Sequence, residues 1–250
     1  MLKNNDWIIL NAITYKIHSI EELDEMRLAV MKQLGYLIDF DSSSFYITLP
    51  NDEKELTRPV GINYAVEDME EYIHHYKNMD YSEGMMFTGK NIAYRESDLI
   101  PDEVRVNTEY YKAVYDVQNW HYSLHLNLCY KEEFLGVLSF FRNKGKEDFL
   151  YDDIFVLDMI KDHLALRLYE EKQKDKKKKM TVEQCSKQYG LSEREESVLN
   201  RLLGSESAEE IADILGISIS TLRKHCNHIY HKLNISQRIE LYDLITRREF

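Results

Sequence analysis

Residues 207–233 read SAEEIADILGISISTLRKHCNHIYHKL, and every local rule applied to this stretch gives a consistent answer. Ser207 followed by Glu210 is a capping box, in which the serine oxygen and the glutamate carboxylate each take up a backbone N–H orphaned at a helix start. The helix it opens carries Ile211, Ala212, Ile214 and Leu215 and stops at Gly216. Ser218 or Ser220 then caps a longer helix, where Ile219, Leu222, Cys226, Ile229 and Leu233 recur at three and four residues as one inward stripe. At about 100° per residue the opposite face presents Ser220, Lys224, Asn227, His228 and His231, with Thr221, Arg223 and Lys232 on its flanks. Two helices joined by a tight glycine-containing turn make a helix-turn-helix.

The flanks extend the pattern. Ser192 with Glu195 is another capping box, followed by the stripe Val198, Leu199, Leu202 and Leu203 and a stop at Gly204. Ser236 is placed to cap a last helix bearing Ile239, Leu241, Leu244 and Ile245. The spacing thus predicts a small all-α domain of four helices over residues 187–250. Arginine and lysine on the exposed face can donate to guanine O6 and N7, asparagine can bond adenine, and serine or threonine can bond phosphate. One amphipathic helix alone would be explained by solvent; four capped helices in this order point to double-stranded DNA.

Working back from the tail, the sharpest break in composition is KQKDKKKK at Lys172–Lys179, whose like charges repel and contribute nothing apolar to a core. It sets the expected boundaries: a front domain at 1–170, a basic linker at 171–186 and the helical domain at 187–250. Residues 1–170 carry 31 Asp+Glu against 17 Lys+Arg, whereas residues 187–250 carry 10 against 9. Bulk charge therefore does not announce a nucleic-acid binder, and the DNA reading rests on the local face. With 44% hydrophobic and 30% charged residues the 250-residue chain is ordinary globular material, long enough for two unequal domains. No stretch approaches the roughly 18 uncharged apolar residues of a membrane span, and the three cysteines are too scattered for a disulfide framework. The expected localisation is the cytoplasm, without a membrane partner.

Ahead of the linker the periods mix. Leu23, Met26, Val30 and Leu34 are helical in spacing, Phe45, Ile47 and Leu49 alternate as a strand, and residues 66–79 return to a helical period. Residues 120–130 give the clearest strand, with Trp120, Tyr122, Leu124, Leu126, Leu128 and Tyr130 expected on one face and His121, Ser123, His125, Asn127 and Cys129 on the other. Leu135–Phe141 reads as its antiparallel partner, and a helix follows from about Asp152. The fold class is α+β: an antiparallel sheet flanked by helices, then the all-α helix-turn-helix domain. Among 18 tyrosines, Tyr46, Tyr72, Tyr76 and Tyr94, with Trp120, Tyr122 and Asp80, are the candidate lining of an aromatic ligand pocket.

Catalysis and metal binding find little support. His225, His228 and His231 drift around their helix, and His121 and His125 stand about 13 Å apart along one strand face. No phosphate loop, nucleophile elbow or paired-carboxylate spacing stands out, nor does the acidic cluster of a phosphoacceptor domain. The reading is a non-enzyme with no metal and no cofactor.

The stretch Leu191–Leu241, with LSERE, EIADILGIS, TLRKH, KL and Arg238, resembles the LuxR/GerE-type DNA-binding domain of bacterial transcription regulators. The resemblance implies that the helix from Ser218 or Ser220 enters a major groove, and that the domain acts as a homodimer on paired half-sites. It assigns base contacts to Arg223, Lys224 and Asn227, and phosphate-contacting or structural roles to Ser218, Thr221, His225 and Lys232. Glu209, after Glu206, stands before EIA where that family commonly has a basic or amide residue, so modest nonspecific affinity is expected. YRESDL and the run over Gly136–Leu164, from GVLSFFR through DF and DD to HL, resemble the GAF/PAS-like sensor domains that precede such tails. That implies a small-molecule effector of unassigned identity in the front domain and a one-component transcription regulator, with RNA polymerase as a further partner. In the lactone-sensing branch a tryptophan stands where this chain has Tyr72, and a proline follows the aspartate, which is not so after Asp80. The competing reading from another class is an interaction module, an anti-activator with little DNA binding, motivated by the near-neutral tail.

Overall fold

The computed structural model describes residues 2–49, 52–177, 180–204 and 206–245. Lys178, Lys179 and residues 246–250 lie outside that description, as does the side chain of Ile239. The chain forms two units, residues 1–173 and 174–250.

In the first unit α1 (Asn4–Ser19) and α2 (Leu23–Leu34) precede β1 (Ser42–Leu49) and β2 (Asp52–Ile62). Next come α3 (Val66–Glu71), α4 (Glu83–Met86), β3 (Ile92–Arg95) and α5 (Asp102–Arg105). β4 (Trp120–Tyr130) and β5 (Glu133–Asn143) form a hairpin, and α6 (Tyr151–Lys177) follows. The five strands pair antiparallel in the order β2-β1-β5-β4-β3, the α+β architecture expected from the sequence.

Both faces of the sheet are covered. On one, Ile13, Ile17, Met26, Val30, Ile160 and Leu164 of the helices pack on Phe45, Leu124, Leu126, Leu138 and Phe140. The other carries an aromatic cluster that includes Tyr46, Tyr72, Tyr110, Tyr115, Trp120 and Phe141. The helix expected over 66–79 comes in three pieces: α3, a π turn at Tyr72–Tyr76 and a 3-10 turn at Lys77–Met79. A second π turn spans Tyr111–Tyr115. Such one-turn widenings interrupt the regular ladder and re-aim side chains. Here Tyr72, Tyr111 and Tyr115 are buried on the aromatic side while His74 and His75 stay exposed.

β5 approaches β1 closely because residue 136 has no side chain. A Cβ on Gly136 would stand 2.3 Å from the Tyr46 carbonyl oxygen and 3.1 Å from Ile47 Cα. Residue 136 pairs with Ile47 on one side and Leu128 on the other, so neither neighbour is free to retreat.

The second unit holds α7 (Val182–Gln188), α8 (Glu193–Leu202), α9 (Ala208–Leu215), α10 (Ile219–Leu233) and α11 (Leu241–Leu244). Val198, Leu199, Leu202, Ile211, Leu222, Ile229, Leu233 and Leu241 make its core, joined by Cys185 of α7. The stretch expected to be a linker is thus substantially structured. α6 runs through Lys177, Met180 bridges Ile245, and α7 opens on a Thr181/Gln184 capping box. Ser236 is not a helix cap. Its N–H and that of Gln237 donate to the Glu240 carboxylate in a 3-10 turn, so the last helix starts later and is shorter than expected. Among the described residues no helix is long and apolar enough to cross a membrane.

Candidate nucleic-acid interface and sensor cavity

The helix-turn-helix is built by α9 and α10. Gly216 ends α9 in the left-handed conformation (φ 62°), which turns the chain within two residues into the cap of α10. That cap is Ser218, whose Oγ accepts the Thr221 N–H at 3.1 Å and lies 2.8 Å from the hydroxyls of both Ser220 and Thr221. Leu222, Ile229 and Leu233 pin the inner face of α10, and Asn234 closes it at φ 52°. Ser220, Arg223, Lys224, Asn227 and His228 are exposed together on the outer face, with Thr221 half-buried beside them.

Lys232 is placed differently. Its Nζ donates to Glu195 Oε2 and to the Gly190 carbonyl, both at 2.8 Å, and so ties α10 to the start of α8. Glu195 closes the Ser192 capping box as well, and the Lys232 ammonium holds its carboxyl down to about 2. A carboxyl lowered in the folded state contributes stability above its ordinary range, lost as pH falls through about 2. Glu195→Gln is expected to cost about 2 kcal/mol, from the lost charge-assisted bonds, and to remove acid sensitivity below about pH 4.5. Urea melts of the chain at pH 7 and pH 3 check this; an unchanged pH difference would refute it. Two arginines add ties that the sequence pattern does not disclose. Arg238 donates to the carbonyls of Leu202, Gly204 and Glu206, capping the end of α8, and Arg194 donates to Leu215 at the end of α9. Carbonyl capping by an arginine distant in sequence leaves no spacing signature.

In the first unit a cavity of about 20 Å³ lies on the aromatic side of the sheet. Tyr46, Tyr72, Asp80 and Trp120 meet there, together with Ser44, Tyr64, Tyr110, His125, Ser139 and Phe141. Tyr76, Tyr94 and Tyr122 are not in its lining. Tyr76 is half-buried and donates to Glu71, while Tyr94 packs its ring 5.3 Å from His125 behind the wall. Tyr122 lies against the opposite core. A register shift between Trp120 and Tyr122 flips the pair onto different faces, so the alternation expected from Trp120 onward holds only from Tyr122.

The polar end of the cavity is Asp80 with His125. Asp80 accepts from the hydroxyls of Tyr72 at 2.8 Å and Tyr110 at 3.2 Å and from the Ser82 N–H at 2.7 Å. His125 is bonded through both ring nitrogens, to Ser139 at 2.8 Å and Ser123 at 2.9 Å, and stands 3.9 Å from Glu96. Behind it Arg105, fully buried, is 3.5 Å from Glu96, 2.9 Å from Asp102 and 2.6 Å from the His121 carbonyl oxygen.

Burial, aided by the Asp80 charge, pushes the Glu96 carboxyl up to about 7. Burial also holds the His125 imidazole down to about 4. The raised carboxyl contributes stability that is full below its ordinary value and lost as pH climbs through about 7. The lowered imidazole contributes stability present above about pH 6.5 and lost as pH falls through about 4. Between those limits the slopes oppose. Glu96→Gln is expected to expose the histidine slope alone, so that stability rises with pH from about 4 to 6.5 in urea melts. A variant profile as flat as the parent's would contradict it.

Comparison with known proteins bears on both units. Residues 189–245 match the family model for bacterial regulatory proteins of the luxR family, also called GerE. The transcriptional regulatory protein TdiR of Thauera aromatica is 33% identical over 108 residues, 42% of this chain and 45% of its own length. A putative HTH-type transcriptional regulator of Aeromonas salmonicida is 39% identical over 69 residues, 26% of this chain and 35% of its own. The chain spans less than half the length of each of these two relatives. Escherichia coli SdiA has a similar fold, with a TM-score of 0.50 and 17% identity over 96% of this chain and 99% of that one. The capped helix-turn-helix of α9 and α10 thus lies within the residues that match the model of the luxR family of bacterial regulatory proteins.

Proposed function

We propose that the chain is a one-component transcription regulator that binds double-stranded DNA through α10 and answers to a small-molecule effector held in the N-terminal cavity. The observation that carries the DNA half is the outer face of α10. Arg223, Lys224 and Asn227 are exposed side by side on a helix whose other face is pinned by Leu222, Ile229 and Leu233. Such a helix fits a major groove, where those side chains reach base edges and the Ser218–Thr221 cap faces phosphate. Two copies on paired half-sites would supply the affinity that a near-neutral domain lacks alone.

Selection of duplexes from a random pool by the purified chain is the direct test. An enriched motif, repeated as two half-sites, is the expected result. Absence of any affinity at about 50 mM salt would instead favour the interaction module, because nonspecific phosphate binding should be strong there. The effector half is tested by native mass spectrometry of the chain isolated from its own cells: a discrete non-covalent mass supports it, and a bare chain under every growth condition opposes it.

A further inference from the structure

We propose that the N-terminal cavity takes a small organic cation, an alkylammonium whose head sits on Asp80 and whose carbon body lies against Trp120 and Phe141. This deepens the effector reading and rests on it. The argument starts from charge. Asp80 is only 6% exposed, and the three groups that donate to it, two tyrosine hydroxyls and one backbone N–H, are all neutral. Neutral donors satisfy lone pairs but leave the buried charge itself uncompensated. A carboxylate has about four acceptor sites, so a further donor can still be received.

The surroundings sharpen the choice of ligand. Trp120 and Phe141 stack at 3.8 Å, and Tyr46 and Tyr72 are tilted against each other at 5.6 Å, so the walls that share the cavity with Asp80 are largely aromatic. Aromatic rings attract a cation and do nothing comparable for an anion. A second carboxylate stands behind the wall: Glu96 is 1% exposed and its Oε1 has no hydrogen-bond partner. Arg105 beside it is shared with Asp102 and the His121 carbonyl oxygen. His125, the lining base, is kept neutral by burial and bonded on both nitrogens to serines. Among the described residues Asp80 forms no ion pair, and the Arg105 guanidinium behind the wall is shared between Glu96 and Asp102. A neutral amide or lactone would bond Asp80 without correcting that imbalance; an ammonium corrects it.

Entry follows from the same geometry. Every lining residue is buried except Tyr64, whose half-buried ring stands edge-on over Trp120 at 4.8 Å. At about 20 Å³ the cavity has room for little more than a water, so a ligand with a carbon chain must push that ring aside.

The test uses the whole chain with n-butylamine, an ammonium at pH 7, and 1-butanol, its neutral counterpart of equal size. Isothermal titration and saturation-transfer NMR are expected to show the ammonium binding at least about tenfold tighter. Asp80→Asn should erase that preference. If Asp80→Asn does not fold, the contrast between the two probes on the parent chain decides alone. Butanol binding as tightly as butylamine would overturn the cation assignment and leave a neutral-ligand cavity in place. Binding of neither up to about 100 mM, the range open to five heavy atoms, would overturn it as well, and the native mass measurement then decides the effector reading separately.

Discussion

Gly136→Ala is expected to destabilise the N-terminal unit by about 3 kcal/mol or more, a large share of the stability of an ordinary domain. The methyl group would have to occupy space 2.3 Å from the Tyr46 carbonyl oxygen, a contact with backbone that no rotamer can relieve. Moving β5 away from β1 would strain its pairing with β4, because residue 136 is held in both ladders. Gly84→Ala is the matched control. It adds the same methyl group in α4 where nothing stands within 4 Å, and should melt like the parent chain. Urea unfolding followed by tryptophan fluorescence measures both. Parent-like stability in Gly136→Ala would mean that β1 and β5 do not approach as closely as described.

The second large effect concerns DNA. Arg223→Ala with Lys224→Ala is expected to lower operator affinity at least about 100-fold and to abolish preference over unrelated duplexes. Each good base contact is worth about 1–3 kcal/mol, and both side chains are exposed on α10, with no internal partner to lose among the described residues. The melting profile should therefore stay unchanged. Lys232→Ala provides the contrast. Its ammonium is spent on Glu195 and Gly190, so its loss should weaken the fold of the unit first and DNA binding only through that. Anisotropy titrations at two salt concentrations separate the cases. Operator affinity that survives the double substitution would remove α10 from the interface.

Legibility differed between the two units for a physical reason. The helix-turn-helix announces itself because its signals are local: a serine and a glutamate three residues apart, a glycine at the turn, a stripe at helical spacing. α7 has the same kind of signal in Thr181 and Gln184, but it sits beside a lysine run whose repulsion dominates the reading. β2 could not be read as a strand, since DEKELTRPVGI shows no apolar alternation. In the cavity, Tyr46, Tyr72, Asp80 and Trp120 were legible as aromatic or acidic residues near strands and turns. Ser44, His125 and Ser139 were not, because they acquire their role only when β1, β4 and β5 come into register. The Glu96–Arg105 pair, nine residues apart across a turn and a short helix, obeys no periodicity at all. The bulge that parts Trp120 from Tyr122 is a property of the hairpin and not of either residue.

The outer strand β2 also limits how copies of the chain can meet. It is eleven residues long, a length at which an open edge invites another strand. Asp52, Glu53, Lys54 and Glu55 project into solvent along it, Pro59 offers no N–H, and Arg58 bends the backbone at φ 47°. The opposite edge, β3, offers only four residues. Sheet-to-sheet addition is therefore disfavoured at both borders. A fibrous route to aggregation is thus discouraged by the strand that looks least like one.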